Sequence, residues 1–315
     1  RMGFDGVHLD QYGFPKTAYS ATGDLVELST AFPPLIDRSR AAVVAERASA
    51  GVIFNAVDNW PIETVAPTSQ DAVYIEVWPP YDSYNDLWDL IRRGKELGGD
   101  KQVILAAYLT PFLNASAQEL PGAEAAALLA TAVIAAHGGF HLLLGEQDGA
   151  LCDPYYPKYA TLRPEFATVM GKYYDFMVRY EELLIAPEMQ DWNTDREDSV
   201  TLAGAAVSML AEPGTVWAVL RRSPLYRIVH LVNLADQDSI TWNALRTPPG
   251  TIADREVQIA GLPAVKQLWV LTPDEPQAVS PLWSQEGGVV RVRVPRLKVW
   301  TTLLCVLENE EKVGS

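Results

Sequence analysis

The chain is short of cysteine, of basic charge and of long apolar runs. Two cysteines in 315 residues, Cys152 and Cys305, cannot build a disulfide framework or, by themselves, a structural zinc site. Lys and Arg number 25 against 40 Asp and Glu, a net charge of −15. The basic surface that polyphosphates need is therefore missing, and no nucleic-acid partner is expected. No run of 18 apolar residues occurs, so no membrane partner is expected either. Phosphate-cradling GxxxxGKS/T loops, GxGxxG turns and GxSxG elbows are also absent, which removes nucleotide and serine-hydrolase readings. No cofactor and no metal is expected.

What remains is ordinary globular composition, with 48% hydrophobic and 21% charged residues. Up to about residue 190, strand-like runs at 4–9, 51–54, 72–75, 102–107 and 140–144 close on polar residues. They alternate with helical stretches at 38–50, 83–97, 123–137 and 165–184, while 61–65 reads as a short turn. Such alternation predicts parallel βα units whose strands are buried on both faces. From about 215 the runs at 216–220, 227–232, 267–271, 289–294 and 299–306 are separated by Pro, Gly and Ser. That pattern predicts an antiparallel β-sandwich. The expected division is an α/β part over 1–190, a connection over 191–214 and an all-β domain over 215–310. Five strands in about 190 residues fall short of a closed (β/α)8 barrel, which takes eight strands and roughly 250 residues. An open doubly wound sheet fits five equally well.

Ligands of parallel α/β folds meet the carboxyl ends of the strands. Here those ends read His8-Leu9-Asp10-Gln11-Tyr12, Asn55-Ala56-Val57-Asp58-Asn59-Trp60, Glu76-Val77-Trp78, Tyr108-Leu109-Thr110 and Glu146-Gln147-Asp148, followed by Tyr155-Tyr156. They supply carboxylates, amides and aromatics, and neither Lys nor Arg. That inventory suits a sugar, with flat rings for its apolar faces and polar groups for its hydroxyls. Two carboxylates on separate strand ends fit glycoside hydrolysis. Asp10 and Glu76 each directly follow a buried-type run. Asp10 could instead cap the next helix; Glu76, followed by Val-Trp-Pro, has no such role. His8 reads more readily as a hydrogen-bonded core residue than as a catalyst, and His137, His141 and His230 as structural. A carboxylate-only calcium site near Glu146 and Asp148 is a weaker alternative, without EF-hand spacing.

The motifs carry a resemblance. Gly3-Phe4-Asp5-Gly6-Val7-His8-Leu9-Asp10-Gln11-Tyr12-Gly13 resembles the fourth-strand motif of glycoside hydrolase family 66, which comprises dextranases and cycloisomaltooligosaccharide glucanotransferases. Tyr74-Ile75-Glu76-Val77-Trp78-Pro79 is similar to the sixth-strand motif, Phe54-Asn55-Ala56-Val57 to the fifth, and Leu144-Gly145-Glu146 with Pro154-Tyr155-Tyr156-Pro157 to the eighth and its loop. Val229 to Leu234 is similar to the opening of the family's C-terminal β domain. The resemblance implies a retaining α-1,6-glucan (dextran) hydrolase with Asp10 as nucleophile and Glu76 as acid/base. It implies subsites lined by His8, Tyr12, Asn55, Asn59, Trp60, Trp78, Tyr108, Glu146, Asp148 and Tyr156.

By the same resemblance the five strands correspond to strands four to eight of the barrel. The implied architecture is a partial (β/α)8 TIM barrel followed by a C-terminal antiparallel β-sandwich. The upstream half is expected as a partner, or else a second copy of the chain, and weak activity or glucan binding without turnover is expected of the chain alone. An extracellular or cell-surface location follows from dextran being a large external polymer. Cyclising members resemble one another in a long insertion after the seventh strand. About thirty residues separate Tyr108 from Phe140 here, which points to the hydrolase over the glucanotransferase.

Overall fold

The computed structural model describes residues 4–11, 13–99, 101–154, 159–192 and 199–308. The first strand, β1 (Gly6–Leu9), is followed by a hairpin of β2 (Thr17–Tyr19) and β3 (Leu25–Glu27) and by helix α1 (Leu28–Glu46). Next come β4 (Gly51–Val57), the short α2 (Ile62–Val65), β5 (Ala72–Glu76), α3 (Tyr84–Gly98) and β6 (Gln102–Ala106). A 3-10 turn, α4 (Leu120–Ala136) and β7 (Phe140–His141) complete this part. Strands β1, β4, β5, β6 and β7 form one parallel sheet in that order. The order never reverses, whereas a doubly wound sheet reverses at its switch point.

The pairing register divides the sheet into two unlike faces. Because side chains alternate along a strand, the partners Leu9↔Phe54, Phe54↔Val73, Val73↔Val103 and Ile75↔Leu105 put one apolar row against the helices. Phe54, Val73, Ile75, Val103 and Leu105 are all buried there with Leu87, Ile91 and the alanines of α4. The opposite face carries His8, Asn55, Tyr74 and Glu76, linked by Asn55↔Tyr74 and Val57↔Glu76. The strands thus place His8, Asn55, Tyr74 and Glu76 on the side away from the helices, while His141 at the end of β7 faces α4.

Helix starts follow local chemistry where the chain supplies it. Ser83 caps α3 in a reciprocal box with Asp86, fixing the helix directly after the Glu76 loop. Helix α1 starts ten residues earlier than its apolar pattern predicts. It runs through Pro33 and Pro34, whose lack of N–H donors reads as a break in sequence. Phe32 and Ile36, buried under β4, hold that turn in place.

Beyond β7 the chain forms a hairpin, β8 (Gly149–Leu151) with β9 (Tyr159–Thr161), and then α5 (Pro164–Arg179) and α6 (Glu181–Leu184). The run expected at 140–144 pairs as a strand for only two residues. At Leu144 it turns away to bridge Ala150 instead.

The remainder is antiparallel, apart from one short parallel pairing. Its strands are β10 (Gln190–Asp191), β11 (Val200–Leu202), β12 (Val207–Ser208), β13 (Val216–Arg222), β14 (Tyr226–Asn233), β15 (Ile252–Ile259), β16 (Val265–Leu271), β17 (Trp283–Glu286), β18 (Val289–Leu297) and β19 (Trp300–Leu307). One sheet has the order β10-β13-β14-β19-β16, with β12 beside β13, and the other β11-β15-β18-β17. Val216, Ala218, Leu231 and Leu303 of the first sheet share a core with Val257, Ile259, Val290 and Val292 of the second. The 191–214 stretch, read from sequence as a connection, supplies short strands to both sheets. Strand β15 was not visible in the sequence because four of its first five residues, Ala253 to Glu256, are exposed and three of those are charged.

Alternate residues of β13, β14 and β19 point the other way. Trp217, Val219, Val232 and Trp300 join the core of the parallel sheet through α4 and α5. Helix α4 lies between the two parts, and from Ala125 to Ala136 every side chain is buried. A helix with no polar side is what such a central position requires, and alanine lets both neighbours approach closely.

Candidate active site

Asp10 follows β1, Asn55 lies in β4, Glu76 ends β5 and Tyr108 follows β6, so four neighbouring strands bring these side chains to one end of one face. Asn55 is the hub. Its Nδ2 donates to Asp10 Oδ1 at 2.9 Å and to Glu76 Oε2 at 3.0 Å. The two carboxylate oxygens therefore lie within about 6 Å of each other. Asn55 and Glu76 are buried while Asp10 is open to solvent.

Asp10 caps no helix. Its Oδ1 also accepts the backbone N–H of Gln11 at 2.9 Å, and Oδ2 makes no hydrogen bond among the described residues. The Gln11 side chain donates to the carbonyls of Asn55 (3.1 Å) and Trp60 (2.8 Å), tying the end of β1 to the loop after β4. Sequence reading did not single out Gln11; a polar residue next to a strand-end carboxylate was the available signal.

Aromatic groups wall this site. The His8 ring lies 4.6 Å from that of Tyr74. Partial burial holds the His8 imidazole below its usual pKa, against the opposing pull of Asp10 and Glu76. The hydroxyls of Tyr74 and Tyr108 interact with each other, and that of Tyr108 also with Glu76. Burial pushes Tyr74 up to about 12, and burial with the nearby Tyr74 and Glu76 raises Tyr108 further, so both stay protonated donors. Tyr74 was not among the expected site residues, although it stands two positions before Glu76 on the same face. Trp78 is half-buried, and its indole Nε1 has no partner among the described residues.

The loop after β4 turns through left-handed backbone at Asp58 (φ 56°) and Asn59 (φ 55°). Asn59 Nδ2 reaches the Tyr81 hydroxyl at 3.4 Å. Burial raises the pKa of Asp58 and Lys16 opposes the shift. The same Lys16 ammonium sits 4.4 Å from the centre of the Trp60 ring, whose edge packs on Phe32. Trp60 is thus partly occupied by a cation rather than wholly free to stack on a sugar.

Glu146 and Asp148 occupy an exposed tight turn, with left-handed backbone at Gln147 and Asp148. No hydrogen bond among the described residues joins either to Asp10, Asn55 or Glu76, and no group of three or more metal-ligating side chains forms among them. Tyr12 and Tyr156 lie outside the described residues. His141 and His230 are structural, as expected: the first is held between Thr131 and the Ala107 carbonyl, the second against Thr302 and Trp300.

Two close carboxylates bridged by an amide at the mouth of a parallel sheet invite comparison with known glycosidases. The family model for glycosyl hydrolase family 66 matches residues 1–304. The chain belongs to this family. Among curated relatives, a cycloisomaltooligosaccharide glucanotransferase of Niallia circulans is 23% identical over 96% of this chain and 45% of its own length. A dextranase of Streptococcus salivarius is 24% identical over 96% of this chain and 44% of its own. The chain thus spans under half the length of these family members. Its fold matches that of a Paenibacillus glucanotransferase complexed with cycloisomaltoheptaose with a TM-score of 0.88, at 21% identity, over 96% of this chain and 62% of that one.

Proposed function

We propose that the chain carries the catalytic pair of a retaining endo-α-1,6-glucan hydrolase, with Asp10 as nucleophile and Glu76 as acid/base. The observation that carries this reading is the Asn55 bridge. Oxygens held within about 6 Å by one amide suit a retaining pair at about 5–5.5 Å, whereas an inverting pair leaves about 6.5–9.5 Å for a water. In the first step Asp10 Oδ2, the oxygen without a partner among the described residues, attacks the anomeric carbon. The glycosidic C–O bond breaks, and a proton on Glu76 Oε1 passes to the departing oxygen. In the second step Glu76 takes a proton from water, whose oxygen attacks the same carbon and releases Asp10. Asn55 orients both carboxylates throughout, and the Tyr108 hydroxyl lies close enough to Glu76 to feel its charge.

The parallel sheet, sequentially ordered with β1 and β7 at its edges, fits an arc of a (β/α)8 barrel, and the two antiparallel sheets fit a β-sandwich. Hydrolysis is favoured over cyclisation by alignment length. The alignment to the glucanotransferase runs over 438 positions against the 315 residues here, so more than a hundred stand opposite gaps. The alignment to the dextranase runs over 368.

Dextran digestion with product sizing tests the proposal on this chain, Asp10→Asn and Glu76→Gln. Linear isomaltooligosaccharides from the parent, and none from either variant, are expected. Cyclic products would make it a glucanotransferase. Dextran binding without turnover, unchanged in both variants, would make it a glucan-binding unit and overturn the catalytic assignment.

A further inference from the structure

Strand β1 pairs with β4 from Gly6↔Gly51 to Leu9↔Phe54, and the backbone pairing stops there. Asp10 is the next residue, exposed and already outside the strand. Its backbone therefore needs another anchor if the carboxylate is to keep its place against Asn55. The Gln11 side chain supplies one. Its Nε2 donates to the carbonyl of Asn55 at 3.1 Å, which carries the tie between β1 and β4 one residue further, and to that of Trp60 at 2.8 Å. A primary amide has two N–H donors, and both are used here. The Gln11 backbone N–H meanwhile donates to Asp10 Oδ1, the same oxygen that accepts Asn55 Nδ2. Gln11, Asn55 and Asp10 thus close a ring, through two hydrogen bonds and the peptide bond that joins Asp10 to Gln11.

The two carbonyls also flank the left-handed turn at Asp58 and Asn59. Residues other than glycine keep such backbone only where their surroundings fix it. Gln11 clamps both flanks of the turn, and the Asp58 N–H donates to the Glu76 carbonyl at 3.0 Å. A carboxylate in place of the Gln11 amide would face two carbonyl oxygens, and a hydrocarbon would leave both without this donor.

We infer that Gln11 is a positioning residue for the nucleophile: by tying the end of β1 to the Asn55 and Trp60 carbonyls, it keeps Asp10 Oδ1 on Asn55 and leaves Oδ2 for the substrate. Its part in catalysis rests on the function proposed above; the hydrogen bonds themselves do not. Gln11 acts through Asp10 and has no contact of its own to make with the sugar. A displacement of about 1 Å from the geometry of attack can cost about 10²-fold in rate.

Gln11→Met and Gln11→Leu test this, since both remove the side-chain donors and keep the backbone N–H. In spectra of chain labelled with nitrogen-15 asparagine, the two Nδ2 protons of Asn55 report separately on Asp10 and Glu76. Asn55→Ala assigns the pair, and Asp10→Ala tells one proton from the other. The proton facing Asp10 is expected to move to the position of a solvent-exposed amide in both Gln11 variants, while the proton facing Glu76 stays. Isomaltosyl fluoride supplies the kinetic readout, because its leaving group needs no proton from Glu76. On it, as on dextran, kcat should fall about 10²-fold with little change in KM. A loss on dextran alone would place the effect on Glu76 and overturn the inference. Unmoved Asn55 protons or an unaltered kcat would also overturn it. Displacement of both protons together would make Gln11 a structural support of the whole turn, without a role specific to Asp10. A displaced Asp10-facing proton in a chain that turns over neither substrate would uphold the tie and count against the proposed function.

Discussion

Asn55 and Glu76 sit on neighbouring strands, and the 3.0 Å hydrogen bond between them is one half of a bridge whose other half ends on Asp10. One amide thus sets both the distance and the orientation of the two carboxyl groups. Asn55→Ala should lower kcat on dextran by about 10²–10³ with little change in KM, since it removes a preorganised donor and leaves the fold's apolar face untouched. Initial rates of reducing-sugar release measure this. An unaltered kcat would remove Asn55 from the mechanism.

Tyr74 and Tyr108 influence each other's ionisation beside Glu76, so in the proposed mechanism their losses should not add. Tyr74→Phe and Tyr108→Phe should each reduce kcat, and the double variant should show a coupling of about 0.5–3 kcal/mol in transition-state free energy. The four rates of a double-mutant cycle give that number directly. Strict additivity would mean that the two hydroxyls act separately.

Lys95 lies beside the buried Arg221, with Asp191 the nearby counter-charge. Burial, then Arg221, lowers the Lys95 pKa to about 7. Below pH 7 the lysine is charged in both native and unfolded chains and the native state bears the full desolvation cost. Between about 7 and the ordinary 10.5 the unfolded chain binds more protons, so native stability from this group rises with pH. Lys95→Met should therefore be more stable than the parent at pH 6, with the gap closing by pH 10. Urea midpoints at pH 6, 8 and 10 are the measurement.

His141 has the same sign of effect in a lower window. Burial takes its imidazole from 6.5 to about 4, so stability is intact above pH 6.5 and falls as the pH drops towards 4. His141→Gln, which can still meet Thr131 and the Ala107 carbonyl, should flatten the acid limb by about 1.4 kcal/mol per pH unit. An identical acid slope in both proteins would show that His141 does not titrate there.

Gly94 and Gly98 let α3 lie close on the sheet. A Cβ at Gly94 would come within 2.9 Å of Val103 Cγ2, and one at Gly98 within 2.7 Å of Val73 Cγ2. Valine is stiff at χ1 and gives way poorly. Gly94→Ala should therefore lower stability by about 1–3 kcal/mol despite the better helix propensity of alanine, seen as a lower Tm.

Much of this was legible in the chain. The runs opening at Gly51, Ala72 and Gln102 begin where their strands begin, because β-branched and apolar residues bounded by turns leave little choice of register. Asp10, Asn55 and Glu76 were readable as strand-end polar groups. That one amide would span both carboxylates was not, since it depends on pairing register across three strands. Trp60 looked like a stacking surface because nothing in sequence brings Lys16, 44 positions away, over its ring. Strand β15 escaped because the partner that orders it, β18, lies far along the chain and supplies the apolar side.

Helix α4 has consequences for how the chain holds together. Its alanines offer no side to water and too little bulk to choose an inner face, so each sheet serves as the other's condition for that helix to persist. Removing either would turn a core segment into exposed apolar surface. Melting should accordingly pass through a single calorimetric transition. A cut between the α/β and all-β parts should yield two insoluble pieces rather than two domains.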